Sequence, residues 1–308
     1  MPFLSLAGIE QEILKYNEGP RFGYSDMNGY GHSAPYLWYK MYWLLCGLIL
    51  LVVSFLFWVR GIPNSFAERI AIAKTRFKGF AVISFSVFLV AFLVLGYSIY
   101  QETGTKSKRT SSKEQELQRV NWEKTYKKYE NYAQPRIIAV KTDVAIFPKK
   151  KTFEASAVFT MINKTDTAID SIFLNHNGLK STFEFNKPNN LVLEDTIMHF
   201  DVYRFENKIL PGDSLQLSVT VKSDKNSVFR TKSPVIENGT FINNFAMFPS
   251  LGYSTQGELT DNKTRKKYDL PPNNLRPHPS DSTALGNTYI SKDSDWIDFE
   301  ATVSTSKD

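Results

Sequence analysis

The chain has 308 residues, 42% hydrophobic and 22% charged, a balance that excludes a disordered chain and supplies apolar material for a sizeable core. Its single cysteine, Cys46, excludes an internal disulfide and any zinc site built on several thiolates. The net charge of +6 is scattered instead of gathered with aromatics into a patch, so nucleic acid is not among the expected partners.

Residues 1–35 are rich in Gly, Tyr and Asn and read as an extramembrane loop region, with a short helix near Gly8–Tyr16. Met1–Leu4 reads as the tail of another apolar segment, so the chain is expected to begin partway through a larger membrane protein.

Residues 36–102 are expected to form two transmembrane helices, at about 41–59 and 79–100. The run Met41–Val59 is uncharged over 19 residues and as a helix spans roughly 28 Å, close to the hydrocarbon thickness of a bilayer. Tyr36, Trp38, Tyr39, Tyr42 and Trp43 cluster at its start and Trp58 lies at its end, where aromatics suit the two interfaces. Gly79–Tyr100 is uncharged over 22 residues, and Gly79, Gly96, Ser84, Ser86 and Ser98 permit close helix packing. Two such runs fit a membrane pair better than a buried pair in a soluble core. The first lies too far along the chain, and is too long, for a signal peptide. Arg60, Arg69, Lys74, Arg76 and Lys78 against Glu68 place the 60–78 loop in the cytoplasm and both ends outside. Lys106, Lys108, Arg109 and Lys113 pull the other way.

Residues 103–134 read as a linker and a juxtamembrane helix. TGTKSKRTSSK at 103–113 is a flexible polar linker by composition. Ser112 with Gln115 is a weak capping box, and no Pro or Gly interrupts Glu114–Tyr132. Trp122, Tyr126, Tyr129 and Ala133 fall on one helical face, with Glu123 and Lys127 on another, and the helix stops before Pro135. It is either a solvated spacer or an element packed on the domain C-terminal to it.

At Arg136 the apolar period switches to two, and residues 135–308 read as an all-β, antiparallel, sandwich-like or curved-sheet domain. Ile138–Ile146 and Phe153–Met161 form a long hairpin about the basic turn Pro148–Lys151. Further strands are expected at Ser171–Asn175, Ser181–Asn186, Leu191–Leu193, Met198–Phe205, Ser214–Val221, Thr240–Phe248 and Trp296–Ser304. Residues 261–295 are polar and Pro-rich and are expected to carry little regular structure.

Motifs for chemistry are scarce. The histidines His32, His176, His199 and His278 form no His-Glu-x-x-His and no pair at helical metal-ligand spacing. His199 reads as a strand side chain. His176, beside a turn, is weighed as a binding group against the plainer turn reading. Glu194-Asp195 reads as a turn pair, not an acid/base dyad. The sequons at Asn163, Asn238 and Asn262 are given no function. Catalytic, cofactor-binding and metal residues: none is assigned.

The order of YRFENKILPGDSLQLSVTVK (203–222), ENGTFINNFAMFPSLGY (237–253) and DWIDFEATVSTSKD (295–308), after the opening hairpin, resembles the N-terminal saddle β-domain of aminopeptidase N-type zinc metallopeptidases. The preceding half, with its GYSDMNGYGH loop, resembles Bacteroidetes-type proteins that fuse an ABC transporter permease-like membrane region to such a peptidase. The family's His-Glu-x-x-His and Gly-x-Met-Glu-Asn motifs do not occur here. The resemblance therefore implies a non-catalytic portion: the catalytic domain is absent, zinc is expected only in that missing domain, and peptide hydrolysis is implied only for the full-length protein. The implied partners are the lipid bilayer, other membrane helices or an ATP-binding subunit, and peptide. The alternative is a stand-alone membrane-anchored extracytoplasmic β-domain for binding or sensing.

Overall fold

A computed structural model describes residues 12–16, 18–20, 23–26, 29–31, 33–58, 65–105, 111–223, 235–236, 239–273, 280, 282 and 293–306. The chain divides into two compact units near residue 110.

In the first unit, the described part of the helix expected near Gly8–Tyr16 is a single 3-10 turn, Glu12–Leu14, and residues 8–11 lie outside the described residues. Strands β1 (Tyr24–Ser25) and β2 (Gly29–Tyr30) form a minimal antiparallel pair. Helix α1 (Ala34–Phe57) starts seven residues before the uncharged run, because Pro35 suits the first helical turn and Tyr36–Lys40 contain no breaker. Helix α2 (Phe66–Arg76) occupies the loop read as cytoplasmic, and helix α3 (Phe80–Tyr100) comes next, continuing as a π-turn to Thr105. Gly79, at φ +52°, makes the turn into α3, a conformation that costs any residue with a Cβ. Helices α1 and α3 are each long and apolar enough to cross a membrane. They meet through Tyr39, Tyr42 and Ile99, with the Tyr42 ring stacked 4.4 Å from Phe92. Leu50, Leu51, Phe55, Val90 and Val94 stay exposed, so most of the apolar surface of both helices is uncovered.

The second unit opens with helix α4 (Ser112–Tyr126), extended by a 3-10 turn to Tyr129. Its cap lies one residue before the expected one: Ser111 Oγ accepts from the Glu114 amide, and the Glu114 carboxylate accepts from the Ser111 amide. Glu outcompetes Gln115 for this box because an anion also suits the positive end of the helix.

The long hairpin is β3 (Arg136–Phe147) with β4 (Thr152–Ile162). Then come β5 (Ile169–Asn175), β6 (Lys180–Phe185), β7 (Asn189–Asp195), β8 (Phe200–Ile209), β9 (Ser214–Lys222), β10 (Val235–Ile236) and β11 (Gly239–Thr240). Helix α5 (Asn244–Met247), β12 (Ser250–Leu251), helix α6 (Asn262–Lys267) and β13 (Ser294–Thr305) complete the order. One sheet runs β13-β3-β4-β9-β6 and the other β12-β5-β8-β7.

Three expectations are corrected. β13 pairs with β3 in parallel, so the larger sheet is mixed and not purely antiparallel; a period of two says which face a residue takes but not which way the strand runs. Thr240–Phe248 is not a strand: the Asn243 side chain accepts from the Ala246 amide and starts α5, a local cap outweighing the apolar alternation. Residues 261–295 include a helix, α6, begun by Asp261, whose carboxylate accepts from the Thr264 amide.

The two sheets share one buried cluster. Val140, Phe159, Leu217 and Val219 from the larger meet Ile172, Leu174, Tyr203 and Phe205 from the smaller. Side-chain alternation sends Phe173, Phe200 and Val202 to the opposite face, where Trp122, Tyr126 and Tyr253 cover them. Of the two readings of the juxtamembrane helix, the packed one holds: α4 is not a solvated spacer. Trp122 stacks on Tyr253 at 5.4 Å, and its indole N–H donates to the Ser254 carbonyl at 3.0 Å.

Candidate functional site

The register of β13 on β3 creates the most distinctive surface of the β unit. Phe299, Ala301 and Val303 lie opposite Val140, Thr142 and Val144 and therefore on the same face. On β3 that face is core: Val140, Thr142 and Val144 are all buried. On β13 the cover runs out, and Phe299 and Val303 are each 65% exposed. Trp296, at the start of the strand, is 98% exposed. The opposite face is ordinary, with Lys141 and Glu300 paired across the strands at 2.9 Å. Beyond β13 no further strand is paired among the described residues.

The apolar shelf leads into a cavity of about 380 Å³, walled by Ile137, Val140 and Phe159 from the sheet, Phe245 and Met247 from α5, and Ile297 and Phe299 from β13. Asp293 stands at this cavity. Its carboxylate accepts from the Leu251 amide at 2.9 Å, and its carbonyl accepts from the Ile137 amide at 2.8 Å. Burial pushes its pKa up, against the Leu251 amide and Arg136, which pull it down. This one residue ties β12, β3 and the start of β13 together. The site offers shape, apolar surface and a single carboxyl, with Thr142, Ser250 and Ser294 adding hydroxyls to its wall.

A second cluster is polar. Arg265 on α6 is 1% exposed and grips Glu123 of α4, 2% exposed, through Nη1 and Nη2 at 2.8 and 2.6 Å. It also donates to the carbonyls of Leu259 at 2.7 Å and Pro271 at 2.6 Å. Lys127 donates to Glu258 at 3.0 Å and to Glu123 at 3.4 Å, and the Tyr253 hydroxyl and the Asn273 amide also donate to Glu258. Burial and the bond to Glu258 push the Tyr253 hydroxyl up. Two carboxylates and two cations balance, which makes this a clamp on α4. Helical spacing puts Glu123 on a face away from the aromatic stripe, and nothing in that spacing signals a partner 142 residues away.

Two histidines, His32 and His278, fall outside the described residues. His199 is not a strand side chain: it ends the β7–β8 turn at φ +55°, stacked over Gly178, where a Cβ would come within 2.4 Å of its ring. His176, at the end of β5, lies 5.3 Å from the His199 ring, and its Nε2 is 3.6 Å from Asp201. Its Nδ1 accepts from the Gly178 amide. Burial and then His176 push His199 below its ordinary pKa. One oxygen of Asp201 is buried without a partner. Asp195, the second member of Glu194-Asp195, accepts from the Tyr126 hydroxyl and the amides of Ile197 and Met198, holding a turn.

Cys46 is half-buried on α1. Asn163 is 1% exposed, with its amide donating to the carbonyls of Thr167 and Ile209, and is closed to modification in the folded unit. Among the described residues no group of three or more His, Cys, Asp or Glu is arranged to hold a metal.

No protein-family model matches the chain, and no curated protein matches it. Solved structures with some likeness are M1 zinc metallopeptidases. One, from Deinococcus radiodurans, has 10% identity, 30% of this chain covered against 21% of that chain, and a TM-score of 0.25. Leukotriene A4 hydrolase from Saccharomyces cerevisiae has 11% identity, 30% covered against 16%, and a TM-score of 0.23. The matched part spans about a fifth of the length of these structures. The transporter-permease part of the resemblance finds no support in them.

Proposed function

We propose that this chain is the membrane-anchored, non-catalytic part of a larger aminopeptidase-like protein. In this reading α1 and α3 cross the bilayer as part of a multi-pass, permease-like region, with α2 on the cytoplasmic side. The β unit stands outside and supports a peptidase domain that holds the zinc. Other membrane helices or an ATP-binding subunit are the partners of the membrane half, and peptide is the substrate of the whole.

The observation that carries the reading is the uncovered inner face of β13. Phe299 and Val303 continue a buried face into solvent beside fully exposed Trp296, as expected of a surface made to be covered. Covering them would stabilise by roughly 1.5–3 kcal/mol for each large side chain. The resemblance in the order of segments along the sequence is what supports reading the covering domain as a peptidase. The second reading, a stand-alone binding module, is favoured by the apolar cavity with its single carboxyl.

Reading the transcript past the Asp308 codon separates the two. An open frame running into Gly-x-Met-Glu-Asn and His-Glu-x-x-His is the expected result. A stop directly after that codon in an intact message overturns the support-domain reading and leaves the binding module.

A further inference from the structure

Between the two apolar helices the chain could have turned in a few residues. Instead it builds α2, Phe66–Arg76, capped by Ser65, whose hydroxyl accepts from the Glu68 amide. On a helical wheel Phe66, Ile70, Ala73 and, just past the end, Phe77 share one narrow arc. Arg69 and Arg76 border that arc on one side and Lys74 on the other, with Glu68 and Thr75 opposite.

The arc is seated on the flanking helices. Ala73 is buried with Val52 and Leu56, the Phe66 ring stacks 6.4 Å from Phe57, and Phe77 meets Phe85 edge-on at 5.6 Å. Arg76 donates to the Trp58 carbonyl just past the end of α1. Phe66 and Phe80 nevertheless remain 71% and 84% exposed. Arg69, Lys74 and Lys78 pair with no carboxylate among the described residues, and Glu68 is the sole acid from Ser65 to Phe80.

We infer that α2 is an interfacial helix whose cations Arg69, Lys74 and Lys78 bind anionic phospholipid headgroups at the bilayer surface. The inference rests on the reading that α1 and α3 cross the membrane. The exposed rings of Phe66 and Phe80 enter the acyl boundary, and the long cationic stems reach from the borders of the arc to the phosphates. Phosphate is the complementary charge, and cations beside a bilayer are attracted to anionic lipid with a strength that salt screens. Arg76 is held by Trp58 and serves the seating of the helix.

The test reconstitutes the full chain in nanodiscs of mixed phosphatidylcholine and phosphatidylglycerol and measures retained lipid by native mass spectrometry. The wild type is expected to retain phosphatidylglycerol preferentially, and R69Q/K74Q/K78Q to weaken that preference by roughly tenfold or more. Equal preference in the variant, or none in the wild type, overturns the inference. Carbonate extraction of native membranes separates the underlying reading. A chain that stays in the membrane pellet but lacks lipid preference defeats the lipid site alone. A chain stripped into the supernatant defeats the spanning reading and the lipid site with it.

Discussion

Replacing Arg265 with Met tests what holds α4 to the sheets. The guanidinium makes two bonds to Glu123 and one to each of two carbonyls, all at 2.6–2.8 Å, from a position 1% exposed. Met fills much of the volume but strands the Glu123 carboxylate and both carbonyls. Breaking a buried pair on one side costs about 3–5 kcal/mol. Lys127, 3.4 Å from Glu123, still compensates part of the charge, which puts the expected cost near the lower end, about 3 kcal/mol. For a unit of this size that lowers Tm by roughly 6–12 °C. The assay is thermal unfolding of the full chain in detergent, followed by near-ultraviolet circular dichroism of the Trp122–Tyr253 stack. Glu123→Gln alone leaves the cation buried and costs a similar amount. Glu123→Gln with Arg265→Met removes both charges, so the double variant should lose about 2 kcal/mol less than the sum of the singles. A cost below about 1 kcal/mol for Arg265→Met, or strict additivity in the double, would refute the clamp.

Asp293→Asn keeps an acceptor for the Leu251 amide and removes a charge that burial disfavours. Because its folded pKa lies above the ordinary 3.8, Asp293 lowers stability as pH rises from that value. The Tm advantage of the variant should therefore grow as pH rises above about 4, and an advantage that shrinks would contradict the assignment. His199 has the opposite sign. Its folded pKa is depressed, so the stability it contributes is complete above about pH 6.5 and is lost as pH falls below it. His199→Asn, which tolerates a positive φ, should flatten the Tm profile on the acid side; an unchanged acid slope would assign that slope elsewhere. Gly178→Ala should cost about 1–3 kcal/mol, since it combines φ +74° with a Cβ 2.4 Å from the His199 ring. Chemical denaturation would measure it, and a neutral result would mean that the two turns do not touch in solution.

The legible parts of this fold are those written in a local period. The hairpin of β3 and β4 alternates apolar and polar residues over both arms, and its strand ends fall within two residues of expectation. The aromatic stripe of α4 is readable at helical spacing, but its target is not, because Phe173 and Phe200 belong to strands whose opposite faces also look apolar. Glu123 and Arg265 illustrate the limit. Each is ordinary among polar neighbours, and only the fold brings them together. The positive φ of His199 is hidden by a strand-like alternation on either side. For the candidate site, Phe299 and Val303 are visible as strand residues, yet their exposure depends on which strands lie next to β13, and a sequence period carries no information about neighbours.

The parallel pairing of β13 with β3 joins residues about 160 positions apart, since Ser294 lies opposite Ile137. A ribosome must therefore release most of the β unit before β3 acquires its second neighbour. Through that interval the hairpin presents a long bare edge with Val140 and Val144 beside it, open to any other extended chain. Completion of the larger sheet is thus a late event in time, and the yield of folded protein should depend on how long β3 waits.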